Sequence, residues 1–340
     1  IAVVEWTGQY HLPVRRAFEA GGYEVRVIHP YATKQYRQAA DPGDKTDATD
    51  LAAMHRAAVE GLGLTEQSLP TVYRHLQLLI RHRRDWVYKT TALRAQIREH
   101  LGVAMPGYAD LTDKFFESDT MLTLCRRFDS ADAILRAGVD GLADGLREAK
   151  VQCQRRTLER IVAWAGNAAP ADPDPLLQQQ IWTALDDDRA AKQLQIRRLE
   201  GQCAALLVQT PYLLLLALPG INVVSAADLA GELGPIGHYP NANAITGRAG
   251  LCPARAQSNF TDHPDGALRR QCNRRLRAVL MQTADNLVCC NLHLRSKALA
   301  WQIADKDACA IRVRIAKSFS RLAYAIVAGG SWFRHPALQQ

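Results

Sequence analysis

The first thirty residues, IAVVEWTGQYHLPVRRAFEAGGYEVRVIHP (1–30), decide the fold class of the N-terminal part. Residues 1–4 form a short apolar run of β type that ends at Glu5. His11–Ala20 has helical spacing and stops at a pair of glycines, where helices commonly end. Residues 23–29 alternate as in a strand. A strand, a helix and a strand with short connections predict an α/β unit whose first two strands are parallel.

The segment after this unit carries an acidic run. Residues 34–43 are polar and predict a loop. Residues 44–50, DKTDATD, then lie at the N-terminal end of a predicted second helix, with apolar residues behind them.

Two long helices are predicted in the middle of the chain. Residues 71–101 contain no helix breaker, and apolar residues recur along one stripe. Residues 176–208 follow three-four spacing, and several short helical patterns separate the two. The pair predicts either an antiparallel coiled-coil arm or a dimerising one. The acidic triplet 186–188 is interpreted as a solvated face.

Composition narrows the class of protein. With 340 residues, 48% hydrophobic and 22% charged, the chain has the makeup of an ordinary globular protein of about two domains. No apolar run is long enough to span a bilayer. The eight cysteines show neither a CxxC pair nor metal-finger spacing, which favours reduced thiols in a cytoplasmic protein.

Positive charge concentrates near the C-terminus, around GRAGLCPARAQSNFTDHPDGALRRQCNRRLRAVL (247–280). Residues 247–321 hold 14 Lys and Arg against 5 Asp and Glu, more excess charge than the +8 of the whole chain. Ser258 lies in a predicted polar loop, before a helix whose first turns are predicted to hold Arg269, Arg270, Arg274, Arg275 and Arg277. This density of arginine indicates an anionic target, with phosphodiester as the first candidate. The alternative is a solvated helix surface.

A second candidate phosphate contact is the LPGIN turn at 218–222, followed by a helical pattern. It is similar to the hairpin of a helix-hairpin-helix module, in which a glycine such as Gly220 lets backbone N–H groups approach a phosphate. Pro-Gly is also a common junction between two core helices, so both interpretations stay open.

Three carboxylates form a candidate metal site. Glu5 ends a strand, and Asp47 and Asp50, three residues apart, project from one face of a helix start. Acids that converge at one edge of an α/β sheet offer oxygen ligands to Mg²⁺, which assists phosphoryl transfer. The alternative is helix capping, because Asp is favoured in a first helical turn for that reason alone.

Two groups of motifs together resemble the IS110 family of insertion-sequence transposases. The N-terminal group is IAVVEWTGQYHLPV, GGYEVRVIHP and KTDATDLAAM; the C-terminal group is GLCPARAQS and NRRLRAVLMQTA. The resemblance covers residues 1 to about 60 and about 210 to 330. It implies a partial RuvC-like (RNase H-like) nuclease domain over 1–68, a helical coiled-coil region with an insert over 69–210 and a helical transposase domain over 211–335, an α/β plus all-α fold.

The resemblance also implies roles for single residues. The family uses four acids in the order Asp, Glu, Asp, Asp; Glu5 falls on the glutamate, and Asp47 and Asp50 on the last two aspartates. The first aspartate would precede Ile1, so the chain is expected to be N-terminally truncated. Ser258 falls on the family's nucleophile.

The implied activity is transposition through a covalent serine–DNA intermediate. Mg²⁺ at the acidic site would activate the phosphate, Arg255 and the arginines beyond it would hold that phosphate, and a structured guide RNA would pair with donor and target DNA. The resemblance further implies a homo-oligomer, dimer or tetramer, in the bacterial cytoplasm at the nucleoid, with no membrane partner.

Two alternatives remain open. The chain could be a metal-dependent nuclease that uses water, in which Ser258 is only structural. It could also be a nucleic-acid-binding remnant without catalysis.

Overall fold

The computed structural model describes every residue except 41, 64–68, 171, 254–255, 259–260, 264–266 and 334–340. For 256–258 and 261–263 it describes the backbone alone. The chain divides into two compact units, Ile1–Leu69 and Pro70–Gln340. The first is an α/β arrangement, and the second is mostly helical.

The first unit is built on a pair of parallel strands. Its elements are β1 (Ala2–Glu5), α1 (His11–Ala20), β2 (Val25–Ile28), α2 (Pro30–Ala40) and α3 (Asp47–Val59). The register runs from Ala2 opposite Val25 to Glu5 opposite Ile28. Ala2, Val4 and Val25 form its small core. The predicted parallel α/β start is therefore confirmed.

The segment after β2 is helical, contrary to the predicted loop at 34–43. Helix α2 starts at Pro30, whose fixed φ suits a first helical position. No glycine or further proline interrupts the helix, and its buried residue is Thr33. A helix that is polar on nearly every face lacks the apolar periodicity from which helices are predicted.

Helix α3 begins where the acidic run predicted a helix start. Thr46 accepts a hydrogen bond from the Thr49 backbone N–H, and the Thr49 side chain accepts one from the Thr46 N–H, which closes a capping box. Asp47 is thus the first residue of α3, and Asp50 lies one turn further on.

The second unit contains the remaining helices. They are α4 (Thr71–Ala104), α5 (Asp119–Arg127), α6 (Ala131–Glu148), α7 (Arg155–Ala165), α8 (Pro175–Leu207), α9 (Val223–Leu233), α10 (Ala242–Arg248), α11 (Arg274–Cys290), α12 (Leu292–Ile303) and α13 (Ala308–Gly329). Short 3₁₀ helices cover Tyr108–Leu111, Phe115–Glu117, Pro211–Ala217 and Ile236–His238, and an antiparallel hairpin joins β3 (Ala256–Ser258) to β4 (Thr261–His263).

Helices α4 and α8 pack along one another in opposite directions. Arg83, in the first half of α4, donates to Glu200 near the end of α8. His100, near the end of α4, lies 2.8 Å from Gln178 at the start of α8. The two long helices are confirmed, and their pairing within the chain is antiparallel.

Two hydrophobic cores occupy the second unit. One joins the C-terminal end of α4 and the N-terminal end of α8 to the 104–170 insert, around Tyr108, Phe115 and Trp182. The other joins the N-terminal end of α4 and the C-terminal end of α8 to the C-terminal helices, and it includes Leu76 and Phe319. Residues on both sides of position 210 thus share a core, and the domain limits at 68/69 and 210/211 stay predictions.

The acidic triplet on α8 is not wholly solvated. Asp186 is buried, and its carboxylate accepts from Arg126 at 2.5 Å and from Arg189 at 2.6 Å. Asp187 and Asp188 keep more than half of their side-chain area exposed. The interpretation of a solvated face was wrong for Asp186, because the insert supplies a partner 60 residues away in sequence.

None of the described helices alone is long and apolar enough to cross a bilayer. Helix α8 and the segment Pro211–Ala217, which meet at an angle of 110°, together have the length and apolar composition of a membrane span.

Candidate acidic site and nucleic-acid interface

Glu5 lies at the carboxyl end of β1, as predicted. It is half-buried, and it stands opposite Ile28, whose carbonyl accepts from the Trp6 N–H at 2.9 Å. The carboxyl ends of parallel strands are the usual place for a site in an α/β sheet.

The two aspartates of α3 differ in environment. Asp47 is exposed at the first helical position, where its negative charge interacts favourably with the positive end of the helix dipole. Asp50 is half-buried, and its Oδ1 accepts from Nη1 of Arg37 on α2 at 3.0 Å. The guanidinium of Arg37 therefore already neutralises one of the predicted metal ligands.

Among the described residues, no group of three or more His, Cys, Asp or Glu side chains lies close enough to hold a metal ion. Glu5, Asp47 and Asp50 have the oxygen chemistry that Mg²⁺ requires. They do not form a metal cage in this arrangement, in which Asp50 pairs with Arg37. Their role as ligands stays a prediction.

Ser258 occupies the end of a strand rather than a loop. It is the last residue of β3, and its backbone is in register with Thr261 of β4. The predicted loop was wrong at this point because the backbone of 256–258 pairs with that of 261–263 in an antiparallel ladder. The Ser258 side chain, and Arg255 as a whole, lie outside the described residues.

The base of this hairpin is tied to neighbouring elements by backbone hydrogen bonds. Pro253 and Leu268 form an antiparallel bridge, and the Arg269 N–H donates to the Cys252 carbonyl at 3.3 Å. The Asn273 N–H donates to the carbonyl of Arg248, at the end of α10, at 2.8 Å. The chain entering and leaving the hairpin is therefore held in place.

The arginine-rich helix starts later than predicted. Asn273 is its N-cap, with a side-chain oxygen that accepts from the Leu276 N–H at 3.0 Å, so α11 begins at Arg274. Arg269 and Arg270 precede the helix, in the segment that pairs with the hairpin base. The exposed guanidinium-bearing residues here are Arg269, Arg270, Arg274 and Arg275.

Arg277 differs from the other predicted nucleic-acid contacts. Its guanidinium donates to the carbonyls of Ala249 at 2.9 Å and Gly250 at 3.0 Å, and also to the carbonyl of Arg269. Half-buried and bound to three backbone oxygens, it fixes the turn after α10 against the start of α11.

Gly220 packs its turn closely against α11. Its φ is +98°, and a Cβ there would lie 3.2 Å from the Asn286 carbonyl oxygen. Asn222 caps α9 by accepting from the Ser225 N–H. The segment before the turn, Pro211–Ala217, is a 3₁₀ helix. This geometry explains the glycine through packing, and phosphate contact at Gly220 stays a prediction.

A buried ionic cluster, which the sequence did not reveal, lies between α4, α9 and the cap of α11. Glu232 has no exposed side-chain area and accepts from Arg81 at 3.0 and 3.1 Å and from Asn273 at 3.1 Å. Asp228, one turn earlier on α9, lies 3.4 Å from Arg84. The partners are too far apart in sequence for any local pattern to connect them.

The pKa values of the two acids in this cluster are shifted in opposite directions. Burial raises the pKa of Asp228 to about 6, although Arg84 and Arg83 act against it. Burial would also raise the pKa of Glu232, but the hydrogen bond and charge of Arg81, with the bond from Asn273, bring that pKa below its ordinary value. Glu232 therefore stays ionised although it is buried.

Two transposase family models match the chain. Residues 1–106 match the DEDD transposase model of IS110 elements, described as "Transposase". Residues 212–299 match the model described as "Transposase IS116/IS110/IS902 family". The matched ranges contain Glu5, Asp47, Asp50 and Ser258, and together they cover more than half of the chain.

A curated relative agrees with these models. The chain is 26% identical over 251 residues, 72% of its length, to the "Insertion element IS110 uncharacterized 43.6 kDa protein" of Streptomyces coelicolor. The aligned part covers 61% of that relative's length. Both halves of the chain thus lead to one family, and the chain belongs to the IS110 family of transposases.

Proposed function

We propose that this chain acts as a DNA transposase, a recombinase that cuts and rejoins DNA strands through a covalent bond to Ser258. The observation that carries the proposal is the position of Ser258 on a hairpin whose base is flanked by exposed arginines. Arg269 pairs with that base, and Arg274 and Arg275 open the helix that follows it. Guanidinium groups hold phosphates by charge-assisted hydrogen bonds.

The proposed chemistry is a transesterification. The Ser258 Oγ forms a bond to phosphorus, the bond from phosphorus to the leaving deoxyribose oxygen breaks, and the hydroxyl proton ends on that oxygen. The hydroxyl of a second strand end then attacks the same phosphorus, the bond from phosphorus to Ser258 Oγ breaks, and the hydroxyl proton returns to Oγ. The number of phosphodiester bonds is unchanged, so the exchange needs no external energy source.

The exposed arginines would bind and orient the DNA. Arg269, Arg270, Arg274 and Arg275 supply four positive charges around the hairpin base, and Arg255 precedes the serine by three residues in the sequence. Such charges also stabilise the extra negative charge that a phosphorane-like transition state develops. Arg277, with its guanidinium on backbone carbonyls, would support this surface instead of touching DNA.

The acidic residues are proposed as the divalent-metal site that a DEDD-type domain indicates. Glu5, Asp47 and Asp50 would supply its oxygen ligands, and Asp50 would have to exchange Arg37 for the ion. A bound Mg²⁺ would act as a Lewis acid on the phosphate. A RuvC-like fold of residues 1–68, a coiled-coil arm of α4 and α8, a structured guide RNA and a homo-oligomer belong to the same proposal.

The decisive experiment is covalent trapping. The chain would be incubated with labelled element-junction DNA, Mg²⁺ and the RNA of the element, then run on a denaturing gel beside Ser258→Ala. The matched control is Ser296→Ala, an exposed serine of α12 whose hydroxyl donates only to the His293 carbonyl. We expect a protein–DNA band that Ser258→Ala abolishes and Ser296→Ala retains.

Other outcomes overturn the proposal in distinct ways. Free cleaved strands that persist in Ser258→Ala and disappear in Asp47→Ala would identify a nuclease that uses water. Salt-dependent DNA binding without any product would identify a binding protein without catalysis.

A further inference from the structure

Glu232 is a charged group in an unusual position. Its side chain is completely buried at the last turn of α9, in the same core that holds the hydrophobic face of α11. Both carboxylate oxygens are used: Oε1 accepts from Nε of Arg81, and Oε2 accepts from Nη2 of Arg81 and from Nδ2 of Asn273. The ion pair is therefore two-pronged and complete.

Asn273 connects this carboxylate to the candidate site. Its Nδ2 donates to Glu232, its Oδ1 accepts from the Leu276 N–H in the first turn of α11, and its backbone N–H donates to the Arg248 carbonyl. One residue thus joins the start of the arginine-bearing helix to the end of α10, from which the chain runs into the base of the Ser258 hairpin.

Neighbouring contacts restrict motion between α4, α9 and the Asn273 segment. Gly231 packs directly against α4, where Gln77 Nε2 donates to the Gly231 carbonyl at 3.1 Å. Arg277, one turn into α11, binds the carbonyls of Ala249 and Gly250. The Asn273 segment therefore has little freedom to rotate relative to α4.

Stability does not explain such a cluster by itself. A buried ion pair is often no more stabilising than apolar residues of the same volume, whereas removal of one partner is costly. What such a pair does provide is a fixed geometry, because a bidentate Arg–carboxylate pair holds both partners in one orientation. Second-layer contacts of this kind orient functional groups in other sites.

We propose that Glu232, held by Arg81, is a positioning residue that acts through Asn273 to fix the Ser258 hairpin relative to Arg274 and Arg275. This rests on the proposed function, in which Ser258 must meet a phosphate that those arginines hold. Misplacement of reacting groups by about 1 Å can lower a rate about 100-fold. Glu232 touches neither DNA nor the reacting atoms in this scheme.

The test separates the cap from the link to Glu232. Asn273→Ser keeps a side-chain oxygen that caps α11 but removes the amide that donates to Glu232. Asn291→Ser makes the same change at the N-cap of α12, where Asn291 accepts from the Leu294 N–H. In the 340-residue chain, we would measure hydrogen exchange of residues 248–277 and the single-turnover rate of adduct formation at saturating DNA.

We expect Asn273→Ser to speed exchange in that segment about tenfold or more and to slow adduct formation about 10- to 100-fold. DNA affinity should change by less than about twofold, because the phosphate-binding arginines remain. Asn291→Ser should change neither readout. Equal behaviour of the two variants overturns the proposal.

The split between rate and affinity is a readout that a merely structural role would not produce. Loss of positioning lowers the single-turnover rate at saturating DNA while DNA affinity and Tm stay near those of the wild type. A rate that falls only in proportion to a loss of folded protein overturns the proposal.

The exchange readout also keeps the two proposals distinguishable. If wild-type protein forms no adduct, the serine mechanism fails. Faster exchange at 248–277 in Asn273→Ser alone would still support the positioning role, and unchanged exchange would refute it.

Discussion

Arg81 on α4 and Glu232 on α9 form a two-pronged ion pair, with distances of 3.0 and 3.1 Å, across 151 residues of sequence. The carboxylate is fully buried, whereas a third of the guanidinium side chain stays exposed. This pair ties the first long helix of the second unit to α9, and Asn273 links the same carboxylate to the start of α11.

Arg81→Met should destabilise the second unit strongly. It leaves the Glu232 carboxylate buried without its cation, and loss of one partner of a buried pair costs roughly 3–5 kcal/mol. Urea unfolding would measure the change in the free energy of unfolding. Arg98→Met on the same helix removes an exposed pair with Asp110 at 3.6 Å and a cation–π contact with Phe116, and it should cost no more than about 1–2 kcal/mol. Equal losses would contradict the prediction.

Gly231→Ala should push α9 away from α4. A Cβ at Gly231 would lie 2.5 Å from Ile80 Cδ1 and 3.0 Å from the Gln77 backbone. Such overpacking costs about 1–3 kcal/mol. Gly201→Ala, within α8 and with nothing in reach of a new Cβ, should instead add up to about 1 kcal/mol of helix stability. Thermal unfolding of both variants checks the opposite signs.

Asp186→Ala and Asp188→Ala should differ, although only one residue separates the two positions. Asp186 is buried between Arg126 and Arg189, so its removal should cost about 3 kcal/mol or more. Asp188 is half-exposed beside Lys192, and such a pair contributes about 0–1 kcal/mol. A small effect of Asp186→Ala in denaturant unfolding would show that the insert does not depend on this contact.

Asp228 should make stability fall as pH rises between about 4 and 6. Its folded pKa is about 6, and its unfolded pKa is about 3.9. The folded state therefore binds the proton more tightly, so Asp228 favours folding below pH 4, and this contribution disappears as the pH passes 6.

The difference between the two pKa values of Asp228 corresponds to about 3 kcal/mol at most. The measurement is the free energy of unfolding of the wild type minus that of Asp228→Asn, from pH 4 to pH 7. The free energy of unfolding of the wild type should decrease relative to that of Asp228→Asn as the pH rises. A flat difference over that range would refute the assignment.

The arginines around α11 should separate into two classes. Arg274→Ala and Arg275→Ala remove exposed charges, so each should lower the salt dependence of DNA binding by about one unit of slope with little change in Tm. Arg277→Ala removes three hydrogen bonds to backbone carbonyls and should lower Tm. Its slope should stay near that of the wild type. A reduced salt-dependence slope with an unchanged Tm for Arg277→Ala would show that Arg277 contacts DNA, contrary to this prediction.

Local patterns in the sequence determined much of the architecture. The parallel β1–α1–β2 start, the capped start of α3 at Asp47 and the long helices α4 and α8 all followed from periodicity, glycine ends and capping residues. These signals act within one or a few helical turns, so neighbouring residues carry them. The order of Glu5, Asp47, Asp50 and Ser258 likewise led to the correct family.

Tertiary structure decided what local patterns could not express. It made the polar segment 30–40 a helix, buried Asp186, drew Ser258 into a strand and moved the start of α11 to Arg274. It also assigned Arg277 to backbone carbonyls and joined Arg81 to Glu232. The environments of Asp186, Arg277 and Glu232 depend on partners 27 to 151 residues away, so the burial of these charges is decided only when the chain has folded. The helix at 30–40, the Ser258 strand and the start of α11 form from contacts between near neighbours, which the pattern of apolar residues does not mark.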